Sequence, residues 1–159
     1  MVMELEREGD FREWISPHLA SMGYLAARMA PADDRDDIVQ EALVRAWRRW
    51  STYDAARGTP RAWLLAIVAD RARRTRRWHL RHPSVAIGAE TLDRPVDRGP
   101  DLETALRTLS GRQRLAVDLF YFVDLSIVEA AHVMGCSEGT VKSTLADARE
   151  KLRKVLTER

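Results

Sequence analysis

The 159-residue chain has a single cysteine, Cys136, so no intramolecular disulfide can form and a reducing compartment is implied. Long apolar runs are missing too. Nothing approaches the roughly 20 residues that a membrane-spanning helix needs. Met1 to Asp10 is charged and holds no apolar stretch of secretion-signal type. The expectation is a soluble, cytoplasmic protein that does not insert in a membrane. Alternating apolar and polar runs of strand type are lacking, and so is a glycine-rich phosphate loop. No Ser/His/Asp arrangement supports nucleophilic catalysis. Neither an enzyme nor a cofactor is expected. Charge of one sign is scarce overall, at a net +2, which by itself announces no polyanionic partner.

What is present is charge concentrated in one place. From Arg61 to His82 the chain carries Arg61, Arg71, Arg73, Arg74, Arg76, Arg77 and Arg81 against one acid, Asp70. Seven minus one leaves +6 over 22 residues. From Pro100 onward nine basic residues meet nine acidic ones, so the C-terminal part is neutral.

The apolar spacing is helical throughout. Phe11, Trp14, Ile15, Leu19, Met22, Leu25 and Met29 form one stripe, with Ser16-Pro17 able to restart the helix within it. Pro31 to Arg35 is expected to be a break. A helix is expected from about Asp36 to Trp50, with Asp36 and Asp37 in its first turn, where the helix dipole favours acids. Ile38, Val39, Ala42, Leu43, Ala46, Trp47 and Trp50 are its apolar positions, with Val39, Leu43 and Ala46 taken as core. Ser51 to Thr59 is a polar loop. Thr59-Pro60 then starts a helix that buries Trp63, Leu64, Ile67, Val68 and Ala72 and ends before Pro83.

Pro83 to Pro100 loses periodicity and reads as a linker. Leu102, Ala105, Leu106 and Leu109 mark a short helix beyond it. Ser110 caps another, with Leu115, Ala116, Leu119 and Phe120 inward. The fold class is therefore all-α: two small helical domains, 1–82 and 101–159, joined by a flexible linker, 83–100.

The C-terminal domain carries a helix-turn-helix signature. Ser126 and Glu129 can form a capping box, and Ile127, Ala130, Ala131 and Met134 follow at helical spacing. Gly135 suits a left-handed stop, and Ser137 can cap a second helix at once. That helix opens with small and polar residues, Ser137, Glu138, Gly139, Thr140, Lys142 and Ser143, which let a backbone approach a DNA groove. Its inward positions are Val141, Leu145, Ala148, Leu152 and Leu156. A plain helical hairpin is the competing account of the same pattern.

Other clusters carry less. Asp33, Asp34, Asp36 and Asp37 could hold a cation, but acids at a helix start are the expected solvated face. His79, His82, His132 and Cys136 fit no structural zinc spacing, so no metal is expected. The arginine-rich helix is different. Arg73, Arg77 and Arg81 are spaced by four, with Arg71 and Arg74 adjacent, more cationic than dipole compensation requires. Tyr53 and Trp63 lie close by in sequence, and aromatic rings beside a cationic face suit stacking of unpaired bases. For Trp63 core packing is the preferred account.

Three motifs in order resemble bacterial RNA polymerase sigma factors over nearly the whole chain. Residues Asp36 to Trp47 and Arg61 to Arg73 resemble conserved region 2. Leu109 to Arg114, Gly135 to Ser143 and Ala148 to Leu152 resemble region 4. The size and short linker resemble the extracytoplasmic-function class. The resemblance implies that Asp37, Gln40, Glu41 and Arg45 dock on the clamp helices of the polymerase beta-prime subunit. It implies that Tyr53, Arg61, Trp63, Asp70, Arg71, Arg73, Arg74 and Arg77 bind the minus-ten element as a separated strand. Ser137, Glu138, Gly139, Thr140, Lys142, Ser143 and Arg149 would bind the minus-thirty-five element as duplex. Core polymerase, through beta-prime and beta, and promoter DNA are the implied partners, with an anti-sigma factor common in this class. Asp70, Thr144 and Asp147 depart from the family pattern, which often has asparagine at the first and basic residues at the others. The departures at Thr144 and Asp147 imply weaker or altered binding at the upstream element. The alternative is a stand-alone helix-turn-helix regulator, which would need no polymerase-docking helix.

Overall fold

The computed structural model describes residues 2–83 and 100–157. Apart from its two ends, the expected linker 83–100 lies outside the described residues. The chain divides into two compact units, Met1–Gly88 and Ala89–Arg159. The described residues contain no strand, so the all-α class holds. Among them no helix is long and apolar enough to cross a membrane.

In the first unit α1 spans Val2–Ile15 and α2 spans Leu19–Met29. Between them Ser16–His18 forms a 3₁₀ turn with Pro17 in its opening positions, as the Ser-Pro pair predicts. α3 spans Ala32–Arg49, beginning four residues earlier than Asp36. The cause is Pro31. Its backbone (φ −57°, ψ 156°) occupies the cap position, and its carbonyl accepts from Asp34 N at 3.1 Å. Arg35 Nε donates to Ala30 O at 3.0 Å across the same junction. Asp33 and Asp34, not Asp36 and Asp37, therefore sit in the first turn.

α4 spans Pro60–Arg81 and starts as expected, with Thr59 Oγ1 accepting from Ala62 N at 3.2 Å. It packs on both α2 and α3, which also pack on each other. Ala26, Ala42, Ala46, Ala62, Ala69 and Ala72 are buried and let the three helices close. Met22, Leu25, Ile38, Leu64, Leu65 and Val68 fill the space between them. On α3 the buried line is Ile38, Ala42 and Ala46, whereas Val39 and Leu43 are only half-buried.

In the second unit α5 spans Pro100–Arg107 and α6 spans Gly111–Val117. Ser110 and Gln113 form a full capping box: Gln113 N donates to Ser110 Oγ at 3.2 Å, and Ser110 N to Gln113 Oε1 at 3.0 Å. α6 then passes into a π-helical stretch, Asp118–Phe122, that periodicity does not predict. Asp118 is buried there, paired with Arg114 at 3.4 Å, and the same guanidinium reaches Glu103 of α5 at 3.4 Å. α7 spans Ile127–Met134 and α8 spans Glu138–Thr157. Ala105, Leu106, Leu119, Val133, Val141, Leu145 and Ala148 are the heart of this core. The α8 stripe outlasts its partners: Leu152 is half-buried, and Leu156 is 45% exposed.

Candidate nucleic-acid interface

The turn between α7 and α8 is built by local chemistry. Glu129 N donates to Ser126 Oγ at 3.2 Å, and Ser126 N donates to Glu129 Oε2 at 2.9 Å, closing the box that starts α7. Gly135 adopts φ 63°, ψ 41°, the left-handed geometry glycine takes without a Cβ penalty. Cys136 N then donates to Ala131 O at 3.1 Å and Gly135 N to His132 O at 3.3 Å, which is the Schellman pattern. Ser137 Oγ caps α8 through Thr140 N at 3.1 Å.

α8 faces inward with Val141, Thr144, Leu145 and Ala148. Ser137, Glu138, Gly139, Lys142, Ser143, Asp147 and Arg149 are exposed, and Thr140 is half-buried. Six of the seven expected duplex-binding residues thus lie in the open, at the start of the second helix of a helix-turn-helix or along it. Thr144 corrects one expectation. It is 8% exposed, and its Oγ1 donates to Thr140 O at 2.7 Å. A cation at that position would point into the core, so its absence removes no surface charge. Asp147 does face outward. Arg149 Nη1 donates to Tyr121 Oη at 3.3 Å, a partner that sequence spacing gave no means of seeing.

On α4, Arg74, Arg76, Arg77 and Arg81 are exposed, and Arg73 is half-buried. Asp70, Arg74, Arg77 and Arg81 recur at helical spacing along the wall of an open groove of about 720 Å³ between α3 and α4. Asp34, Asp37 and Glu41 line it from α3. His79 Nε2 lies 2.9 Å from Asp34 Oδ2 across its end.

The two residue sets that the sequence kept apart touch here. Arg45 Nη1 donates to Asp70 Oδ2 at 2.9 Å, and Arg74 Nε approaches the same oxygen at 3.1 Å. Arg71 Nη2 donates to Glu41 Oε1 at 2.8 Å, and its Nε pairs with Glu41 Oε2. Asp37 and Gln40 stay exposed on the outer face of α3, beside exposed Val44.

Tyr53 and Trp63 belong to a larger aromatic nest. Trp14 of α1 lies 5.2 Å from Tyr53, 5.9 Å from Trp50 and 6.0 Å from Trp63, centroid to centroid. Phe11 stands edge-on to Trp47 at 5.2 Å and Trp50 at 5.3 Å. Tyr53 Oη donates to Gly58 O at 2.9 Å and folds the loop Ser51 to Thr59 onto the nest. Asp54 Oδ1 accepts from Ala56 N at 2.9 Å within that loop. Burial, then the Asp54 charge, raises the Tyr53 phenol above its ordinary value. Trp63 is half-buried, so it packs while keeping part of its surface open. Burial and then Arg61 lower the nearby His18, which favours its neutral ring. The α1 stripe of Phe11 and Trp14 was the available sign of this nest.

Among the described residues no three His, Cys, Asp or Glu side chains come together as a metal set. A helix-turn-helix in one unit and an arginine-lined helix in the other are features of a DNA-binding protein. Two family models cover most of the chain: sigma-70 region 2 matches residues 14–81, and sigma-70 region 4 matches residues 101–152. The chain is 30% identical to the RNA polymerase sigma-E factor of Streptomyces coelicolor, over 94% of this chain and 88% of that one. It is 30% identical to the ECF RNA polymerase sigma factor SigK of Mycobacterium tuberculosis, over 76% and 71%. Among solved structures it resembles the sigma factor RpoE of Bartonella quintana, in complex with the anti-sigma factor NepR, with TM-score 0.77 and 27% identity over 93% and 97%. It also resembles CnrH in complex with the cytosolic domain of CnrY, with TM-score 0.69 and 25% identity over 95% and 90%.

The chain belongs to the sigma-70 family, as an extracytoplasmic-function sigma factor. It is an RNA polymerase specificity subunit that acts with core polymerase and directs promoter-specific initiation.

Proposed function

We propose that the work is split between three surfaces. The outer face of α3, with Asp37, Gln40, Glu41 and Arg45, docks on the beta-prime clamp helices. The loop Ser51 to Thr59 and α4 hold the minus-ten element as a separated strand. Tyr53 and Trp63 offer ring surface for unpaired bases, and Arg61, Arg71, Arg73, Arg74 and Arg77 meet phosphate. Asp70 positions arginines and does not itself meet the strand, since a carboxylate beside phosphate is repelled. The start of α8, from Ser137 to Ser143, together with Arg149, reads the minus-thirty-five element in the major groove.

The domains run 1–82 and 101–159, with 83–100 as tether. The protein is cytoplasmic, and phosphodiester chemistry belongs to the polymerase. RpoE is solved with the anti-sigma factor NepR, and CnrH with the cytosolic domain of CnrY. An anti-sigma factor that covers the α3 face is the corresponding partner here.

The observation that carries this division is the exposed polar face of α3, where Asp37 and Gln40 stand open while Glu41 and Arg45 reach α4. The test is co-elution with core polymerase of the double variant Gln40→Ala, Glu41→Ala. Lost core binding, with duplex binding retained, supports the division. Undiminished core binding refutes it.

A further inference from the structure

We propose that Glu41 is a shared carboxylate that couples polymerase docking to DNA binding. In the free protein it holds Arg71, and polymerase releases Arg71 by taking Glu41. The inference rests on the assignment of α3 to polymerase and α4 to promoter.

The geometry is one hydrogen bond backed by an ion-pair contact. Arg71 Nη2 donates to Glu41 Oε1 at 2.8 Å, and its Nε lies against Oε2. With that side of the guanidinium turned to a carboxylate, its charge is largely compensated and only the Nη1 side is left for phosphate. Both side chains are nevertheless reachable, Arg71 at 34% and Glu41 at 52% exposure. Pairs this open are weak and easily exchanged. A cation on a docking partner can therefore draw Glu41 away, leaving Arg71 with its charge unspent at the head of the α4 arginine row.

The neighbouring pair cannot act in this way. If a partner acid drew off Arg45, Asp70 would still hold Arg74 through the same oxygen, at 3.1 Å. Of these two arginine pairs, only the Glu41–Arg71 one frees an arginine on α4 when the α3 member is taken. In the free protein the Arg45–Asp70 pair is a second tie between α3 and α4. Because the coupling is an equilibrium one, DNA must favour polymerase docking by the same factor that docking favours DNA.

The test uses the full chain and a single-stranded promoter-type oligonucleotide over a range of salt. Glu41→Gln keeps the shape of the side chain and removes its charge. Free Glu41→Gln protein is expected to bind more tightly than wild type, with a salt slope steeper by about 0.7, one extra phosphate contact. The gain is expected to vanish when Arg71→Gln is added. With saturating core polymerase, wild type and Glu41→Gln are expected to give equal slopes, because Arg71 is free in both. A merely structural Glu41 would lower the melting temperature without steepening the slope, and that result overturns the coupling. So does a steeper slope that persists equally in the polymerase-bound state. If Arg71→Gln leaves the slope of the polymerase-bound protein unchanged, the DNA role of Arg71 fails, and the coupling fails with it.

Discussion

Lys142→Ala isolates one phosphate contact. Lys142 stands on the outer face of α8, exposed, between the small residues Gly139 and Ser143. It has no ion-pair partner among the described residues, and the core side of α8 is Val141, Thr144, Leu145 and Ala148. Removing it should change folding stability by no more than about 0.5 kcal/mol, as surface substitutions do. Its ammonium should matter only to DNA. Each phosphate neutralised on duplex contributes about 0.9 to the slope of log K against log salt. Between about 50 and 200 mM salt, a fourfold change, one such contact corresponds to a factor of about 3.5 in affinity. Wild type should therefore lose about 3.5 times more affinity than the variant across that range. The assay is fluorescence anisotropy of the polymerase-bound protein on a duplex carrying the upstream element, titrated at several salt concentrations. The loss should be similar for all upstream sequences, since phosphate carries no sequence information directly. Equal slopes for variant and wild type would refute the phosphate contact. A loss confined to one sequence would show that Lys142 reads a base instead.

Trp14→Ala removes the hub of the aromatic nest, whose ring lies 5.2–6.3 Å from five others. A half-buried tryptophan with such neighbours should cost about 2–3 kcal/mol in urea unfolding, and a loss below about 0.5 would contradict its place. His18 is held below its ordinary value of 6.5 by burial and then by Arg61. Its neutral form stabilises the fold above that value, and the contribution is lost as pH falls through the lowered pKa. Wild type should therefore lose stability more steeply than His18→Gln from about pH 6.5 to pH 5; parallel curves would overturn this. Thr144→Arg should destabilise the second unit by roughly 1–3 kcal/mol, because the site is buried. Asp147→Arg should leave the melting temperature in place and strengthen upstream-element binding. Reversal of that pair of outcomes in melting and anisotropy experiments would show α8 to be rotated from the orientation described.

Local chemistry was the most legible part of the chain. Thr59, Ser110, Ser126, Ser137 and Gly135 each act within four residues of themselves, and each caps or stops the helix expected of it. α3 begins ahead of Asp36 because Pro31 occupies its cap position and its carbonyl accepts from Asp34 N, a start that the acid positions do not reveal. Val39 and Leu43 share the apolar period of α3, but α2 and α4 cover only the line Ile38, Ala42 and Ala46, which spacing alone does not show. Leu156 keeps the α8 period but extends past the helices that could bury it. The site was legible as a set of surfaces and illegible as a network. Glu41 meets Arg71 and Arg45 meets Asp70 across 30 and 25 residues of sequence, and only the packing of α3 on α4 brings them together. The buried Asp118 and its π-helical turn depend likewise on Arg114 reaching back to α5.

The division of labour is tested most directly by run-off transcription with purified core polymerase and a promoter carrying both elements. The wild-type chain should give one defined transcript. Gln40→Ala with Glu41→Ala should abolish it by loss of core binding, and Lys142→Ala should weaken it in a salt-dependent way. Full transcription by the α3 double variant would contradict the account, because the outer face of α3 would then not be where polymerase is held.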